Sequence, residues 1–349
     1  MEKKIINLWN VVLKTLKVNY YNNNIYNEIL DNLKKIDYKN VNYIKKKIDN
    51  YDTSIIEEND YMDMDIKNYI NNKLNKCDLY EIENKFNLYI YYGNIDISKI
   101  KNKLIFIIKL LSEYFDFKKN RDIHIFLTPF KKKFNNNLIN NKSCIYKKNI
   151  NSGLTYIIDG KIIIYRIEEL EKVLIHEFIH SMKIDDNIKN IKTDLNINKE
   201  LLLNETLTEI LAEIFYYLYL NLEYKINLSK ILNLELKFST YQTIQLLKFF
   251  DYTKIEDLLF KNDKKKYKDY SNSIEYFIIK TSILYNIEEF INNFFDNGYL
   301  IPVNHNKFEK FIRKTLYSSN FVNNINKNFN NVAFINSNKM VLYDNIINK

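Results

Sequence analysis

The chain has 349 residues, 46% of them hydrophobic, with a formal net charge of +9 and a pI near 9.0. It is long enough to bury a real core and to hold more than one subdomain, and too apolar to be a disordered tail. Glycine and proline are scarce, at four and two, and two cysteines do not make a disulfide framework. Cys77 and Cys144 lack CxxC spacing, which predicts free thiols in a reducing compartment. The enrichment in Asn, Ile, Lys and Tyr has the look of an AT-rich genome, and codon bias toward Lys accounts for the net charge more readily than an acidic partner does.

In chain order, residues 3–19 carry apolar positions at helical period (Ile5, Ile6, Leu8, Trp9, Val12, Leu13, Leu16), and residues 25–50 continue with Ile25, Ile29, Leu30, Leu33 and Ile36. The N-terminus starts basic, but polar residues break its apolar stretch and no small-residue cleavage site follows. It reads as an amphipathic helix and not a signal peptide. No run of 18 uncharged apolar residues occurs, so a soluble, intracellular (cytoplasmic) protein is expected. Residues 1–80 read as a mostly helical N-terminal accessory domain or pro-segment. Asn87–Gly93 is β-branched and aromatic and predicts a strand, 98–116 a strongly amphipathic helix, and Asp122–Thr128 a second strand. His124 lies inside that strand and reads as structural. Residues 130–150, basic and Asn-rich, predict a loop. Gly153–Arg166 predicts a hairpin with a type I′ turn at Asp159-Gly160.

The helix predicted over 167–183 carries His176-Glu177-Phe178-Ile179-His180, two of the four histidines in the chain. Four residues along a helix turn the chain by about 400° and climb about 6 Å, so both imidazoles leave one face one turn apart, as two ligands of a tetrahedral metal must. Zinc is the usual ion for such a pair. Glu177 projects about 100° round from His176, where it can reach a water without being a ligand. The flanking residues are apolar, and burying two histidines and a glutamate without a partner is costly. A polar linker over 184–197 precedes a long helix over 198–220, on which Glu205, Glu209 and Glu213 share a face. Such a face is either a solvent stripe or turned toward a cation. Helical periodicity returns over 228–260, 272–297 and 306–317, divided by the charged loop Lys261–Asp269. Short strand-like pieces follow at Val332–Ile335 and Met340–Tyr343.

These residues resemble the thermolysin-like zinc metallopeptidases, the gluzincins, over about residues 85–220. That family places His-Glu-x-x-His on one helix and a third ligand, Glu, on a later helix, often within Asn-Glu-x-x-x-Asp. Here Asn204-Glu205-Thr-Leu-Thr-Glu209 follows His180 with 24 residues between His180 and Glu205, and Glu stands for the final Asp. The resemblance implies an α+β, zincin-like catalytic domain over 81–230, flanked by the helical region 1–80 and a mainly helical C-terminal subdomain over 231–349. It implies one Zn2+ per chain held by His176, His180 and Glu205, with Glu177 as general base. Glu209 would be the carboxylate that orients a ligand imidazole; Glu213, which the resemblance does not assign, reads as a solvent-stripe residue. An edge strand at Ile162–Tyr165 would hold an extended peptide or protein substrate. A Tyr or His from the C-terminal subdomain would stabilise the oxyanion, with His305 as candidate. No Gly-x-Met-Glu-Asn-type signature is present, which favours an endopeptidase over an aminopeptidase. Two alternatives stand beside this reading. One is a basic non-catalytic protein on a zincin-like fold that binds nucleic acid or a partner surface, supported by charge alone. The other is a catalytically dead zincin with a structural metal, against which the intact Glu177 argues.

Overall fold

The computed structural model describes residues 26–57, 59–133, 145–260 and 269–333, and single residues at Lys14, Leu16, Val18, Lys339, Met340 and Leu342. Most of the predicted N-terminal helix over 3–19, Cys144, most of the 130–150 and 261–269 loops and half of the two C-terminal strand-like pieces lie outside the described residues. The fold is α+β, built on a six-stranded mixed sheet and a set of helices. The chain divides into two compact units that do not follow chain order: residues 29–132 with 151–184, and residues 1–28, 133–150 and 185–349.

The first unit carries the sheet. Its strands are β1 (Tyr43–Ile48), β2 (Lys76–Ile82), β3 (Phe86–Tyr92), β4 (Arg121–Phe126), β5 (Gly153–Thr155) and β6 (Ile162–Ile164). They lie in the order β1-β2-β3-β4-β6-β5. The β3–β4 and β4–β6 pairs are parallel and the rest antiparallel. Its helices are α1 (Asn27–Lys34), α2 (Met64–Lys73), α3 (Ser98–Tyr114) and α4 (Leu170–Ser181). Parallel neighbours need a crossover, and α3 supplies the one between β3 and β4. Its apolar stripe (Leu104, Ile107, Ile108, Leu111) is buried, and α3 and α4 pack together. Ile66, Ile70 and Leu74 of the α2 region form one core cluster with Cys77, Tyr91, Phe126, Ile163 and Tyr165 from the sheet.

The second unit is mainly helical, with two short two-stranded sheets; its longer helices are α5 (Leu203–Tyr224), α6 (Leu228–Phe249), α7 (Ile274–Leu284), α8 (Ile287–Phe294), α9 (His305–Leu316) and α10 (Ser319–Asn328). Helix α5 is buried on every side from Thr206 to Leu220, the mark of a central helix. Helices α6, α9 and α10 start where the side chains of Asn227, Asn304 and Ser318 each accept the main-chain N–H three residues on. The first six residues of α7, Ile274–Ile279, are π-helical.

Three expectations are corrected. Among the described residues, the segment 1–80 is not helical throughout: β1 and most of β2 fall in it. Five of the six β1 residues are exposed, so Tyr-Ile-Lys-Lys-Lys-Ile lacks the alternation that marks a half-buried strand, and only pairing with β2 shows what it is. The hairpin forms, but with a six-residue loop over 156–161, closed by Tyr156 N–H to Lys161 O and Gly160 N–H to Tyr156 O. A type I′ turn needs φ > 0 at both central residues. Of Asp159 and Gly160, only Gly160 has it (φ 70°), and a Cβ there would collide with the Arg121 guanidinium. Finally, Ile162–Ile164 is not an edge. It lies between β4 and β5, and the edge is β5. The all-apolar Ile-Ile-Ile run, buried on both faces, is what an interior strand with a parallel neighbour requires.

Candidate metal centre

Helix α4 is held at both ends. At its N-terminus Glu169 takes the left-handed conformation (φ 60°), and its carboxylate accepts the Lys132 ammonium at 2.7 Å with both groups buried. Glu168 accepts the Lys132 main-chain N–H at 2.6 Å. At the C-terminus the Arg121 guanidinium donates to the buried Ser181 O at 3.0 Å, a cation placed at the carbonyl end of the helix. Between them Lys103 of α3 pairs with Glu171 at 3.0 Å. A helix pinned this way presents its side chains in a fixed direction, as a metal or catalytic site requires.

His176 and His180 leave α4 on one face, and their Nε2 atoms are 3.2 Å apart. Two imidazole lone pairs repel at that distance unless a proton or a cation lies between them. His176 and Glu177 are buried. The Glu177 carboxylate does not point to solvent: Thr155, the last residue of edge strand β5, donates its hydroxyl to Glu177 Oε2 at 2.8 Å and lies 2.9 Å from Glu177 O. Gly153, two residues earlier, lets the strand approach. A Cβ there would meet Glu177 Cγ and Val173 Cγ1 at 3.1 Å and Ile163 O at 3.0 Å. Thr155 and Gly153 were read from sequence only as hairpin residues. Nothing local distinguishes a threonine facing a buried carboxylate from one in a sheet.

The other predicted residues belong to the helical unit. Glu205 lies in the first turn of α5 and is half-buried. Tyr276 donates its hydroxyl to Glu205 Oε2 at 2.6 Å, and Asn272 donates to the same phenolic oxygen at 3.1 Å. Burial first, then the Glu205 carboxylate, pushes the Tyr276 phenol well above its ordinary range, so it stays protonated. Glu275 accepts the Leu202 N–H at 2.9 Å and the Lys199 ammonium at 2.8 Å, which fixes the start of α5. Among 29 tyrosines, no local signal marks residue 276.

Glu209 and Glu213 face a buried cation. The Lys280 ammonium is 3.2 Å from Glu209 Oε1 and 2.6 Å from Glu213 Oε1, all three side chains being inaccessible. The solvent-stripe expectation for Glu213 is therefore corrected: spacing showed the shared face, but its cation comes from 67 residues downstream. His305 begins α9, accepts the Lys189 N–H at Nδ1 (3.3 Å) and lies 3.8 Å from Glu309. His124 is stacked flat on Tyr89 and shares a 3.0 Å hydrogen bond with the Tyr91 hydroxyl, the structural role expected of it.

No family model matches the chain, and no solved structure matches it. A similar protein is "Uncharacterized protein R210" of Acanthamoeba polyphaga mimivirus, 27% identical over 184 residues. That match covers 49% of this chain and 47% of the viral protein, so the chain spans about half of that relative's length. No helix among the described residues is long and apolar enough to cross a membrane.

Proposed function

We propose that the chain is a zinc-dependent metallopeptidase on a zincin-like fold, with His176, His180 and Glu205 as ligands of one Zn2+ and Glu177 as general base. The observation that carries the reading is the histidine pair: His176 and His180 leave one face of α4 with their Nε2 atoms 3.2 Å apart, beside the buried Glu177. Two neutral imidazoles and one carboxylate are the donors of a catalytic zinc site that keeps a position open. When bound, the ion would supply Lewis-acid polarisation and a water acidic near neutral pH.

The protein's own groups do the rest. Glu177, held through Oε2 by Thr155, takes a proton from the attacking water and returns it to the leaving amine. The Thr155 hydroxyl keeps that carboxylate from swinging into an unproductive rotamer. Edge strand β5 offers its main chain for pairing with an extended peptide, which makes an internal stretch of a protein substrate the natural target and favours an endopeptidase.

Two measurements test this on the full chain. Wild-type protein purified without chelator is expected to hold close to one zinc per chain by elemental analysis; none would end the proposal. The Glu177→Gln variant is expected to keep its zinc and lose cleavage of unfolded, dye-labelled casein by at least about 100-fold. Unchanged cleavage would remove Glu177 from the mechanism.

A further inference from the structure

Helix α7 meets the first three turns of α5 with side chains at consecutive levels: Glu275 at Leu202, Tyr276 at Glu205, and Lys280 at Glu209 and Glu213. In an α-helix, neighbouring side chains diverge by about 100°. The π-helical turn over Ile274–Ile279 is wider, which narrows that angle, and π segments inside helices recur at functional sites.

From this geometry we propose that Tyr276, aimed by Asn272, is a positioning residue that fixes the Glu205 carboxylate and thereby sets the affinity of the metal centre; the inference rests on the function proposed above. A phenol has one proton to donate. Asn272 Nδ2 occupies a lone pair of Tyr276 Oη at 3.1 Å, which turns the proton toward Glu205, and the 2.6 Å separation there is that of a charge-assisted hydrogen bond. With Oε2 held, the plane of the carboxylate is fixed, and the direction of Oε1 with it. A ligand carboxylate free to rotate would lose that freedom on binding the ion. One already fixed has less to lose, so the ion binds more tightly. Tyr276 acts through Glu205 and needs no contact with substrate.

The test is zinc affinity, measured by competition with a chromophoric chelator, with Zn2+ as the only ligand added to the full chain. Wild type, Tyr276→Phe, Glu205→Ala and the double variant form one cycle. Tyr276→Phe is expected to weaken zinc binding by about 10- to 100-fold, with no further loss when it is added to Glu205→Ala. Wild-type affinity in Tyr276→Phe overturns the inference. So does an equal loss in both backgrounds, because an effect independent of Glu205 is damage to the fold. Should Tyr276→Phe fail to fold by thermal melt of the metal-free protein, Asn272→Ala enters the same cycle, with a several-fold loss expected only where Glu205 is present. Absence of zinc binding by wild type is a separate result, and it overturns the proposed function itself.

Discussion

Glu177 is held by a hydroxyl that arrives from 22 residues earlier in the chain. On the proposed mechanism, removing that hydroxyl while keeping the shape, in Thr155→Val, is expected to lower kcat on casein about tenfold with KM little changed, because Glu177 would lose its orientation and not the substrate. Thr155→Ser, which restores the donor, should recover most of the rate. His124 gives a pH prediction. Burial is the largest cause that lowers its pKa, to about 4, against a smaller opposing pull from Asp122, and Lys161 lowers it further. Its folded pKa lies below the ordinary value of about 6.5 for an unfolded histidine, so between those values the unfolded chain binds the extra proton. Stability from this residue is therefore complete above about pH 6.5 and falls as pH drops toward 4. The Tm of a His124→Phe variant, which keeps the stack on Tyr89, should fall less steeply across that window than that of wild type.

At the scale of elements, α4 and α5 were both legible as helices, and the His-Glu-x-x-His face of α4 was legible as well. What pins them was not. The clamp on α4 joins Lys132 to Glu169 and Arg121 to Ser181 across 37 and 60 residues, separations at which no sequence periodicity operates. On α5, the regular spacing of Glu205, Glu209 and Glu213 announced a shared acidic face, but whether water or a cation covers it depends on where Lys280 falls. Its folded pKa is raised: Glu213 and Glu209 outweigh burial, the largest single influence, which acts to lower it. The ammonium is thus charged at all ordinary pH and its pairing is fully present there. Lys280→Met would leave two buried carboxylates without their cation and is expected to cost about 3–5 kcal/mol, read as a lower urea midpoint with unchanged slope. The edge-strand error has the same origin. A triple isoleucine is equally at home inside a sheet or at its border, and the neighbour on its far side decides.

For the whole molecule, an ion bound by the native chain and not by the unfolded one raises stability by mass action, about 2.7 kcal/mol at 100 times Kd. Saturating Zn2+ should therefore raise the Tm of wild type, and a chelator should reverse the rise. In Glu205→Ala most of the shift should disappear, while Glu177→Gln should keep it.

By itself the sequence determined the helix-forming segments with strong apolar period, the hairpin before α4, the two imidazoles one turn apart and the acidic face of α5. These depend on residues within a few turns of one another, and local geometry carries them. The tertiary structure alone decided which strand is the edge, that Thr155 holds Glu177, that Tyr276 holds Glu205, and that Lys280 neutralises Glu209 and Glu213. The first is a choice of main-chain pairing partner and the others are side-chain hydrogen bonds or ion pairs between residues far apart in the chain; in every case the partner is chosen by how the elements pack, not by any spacing that can be counted along them.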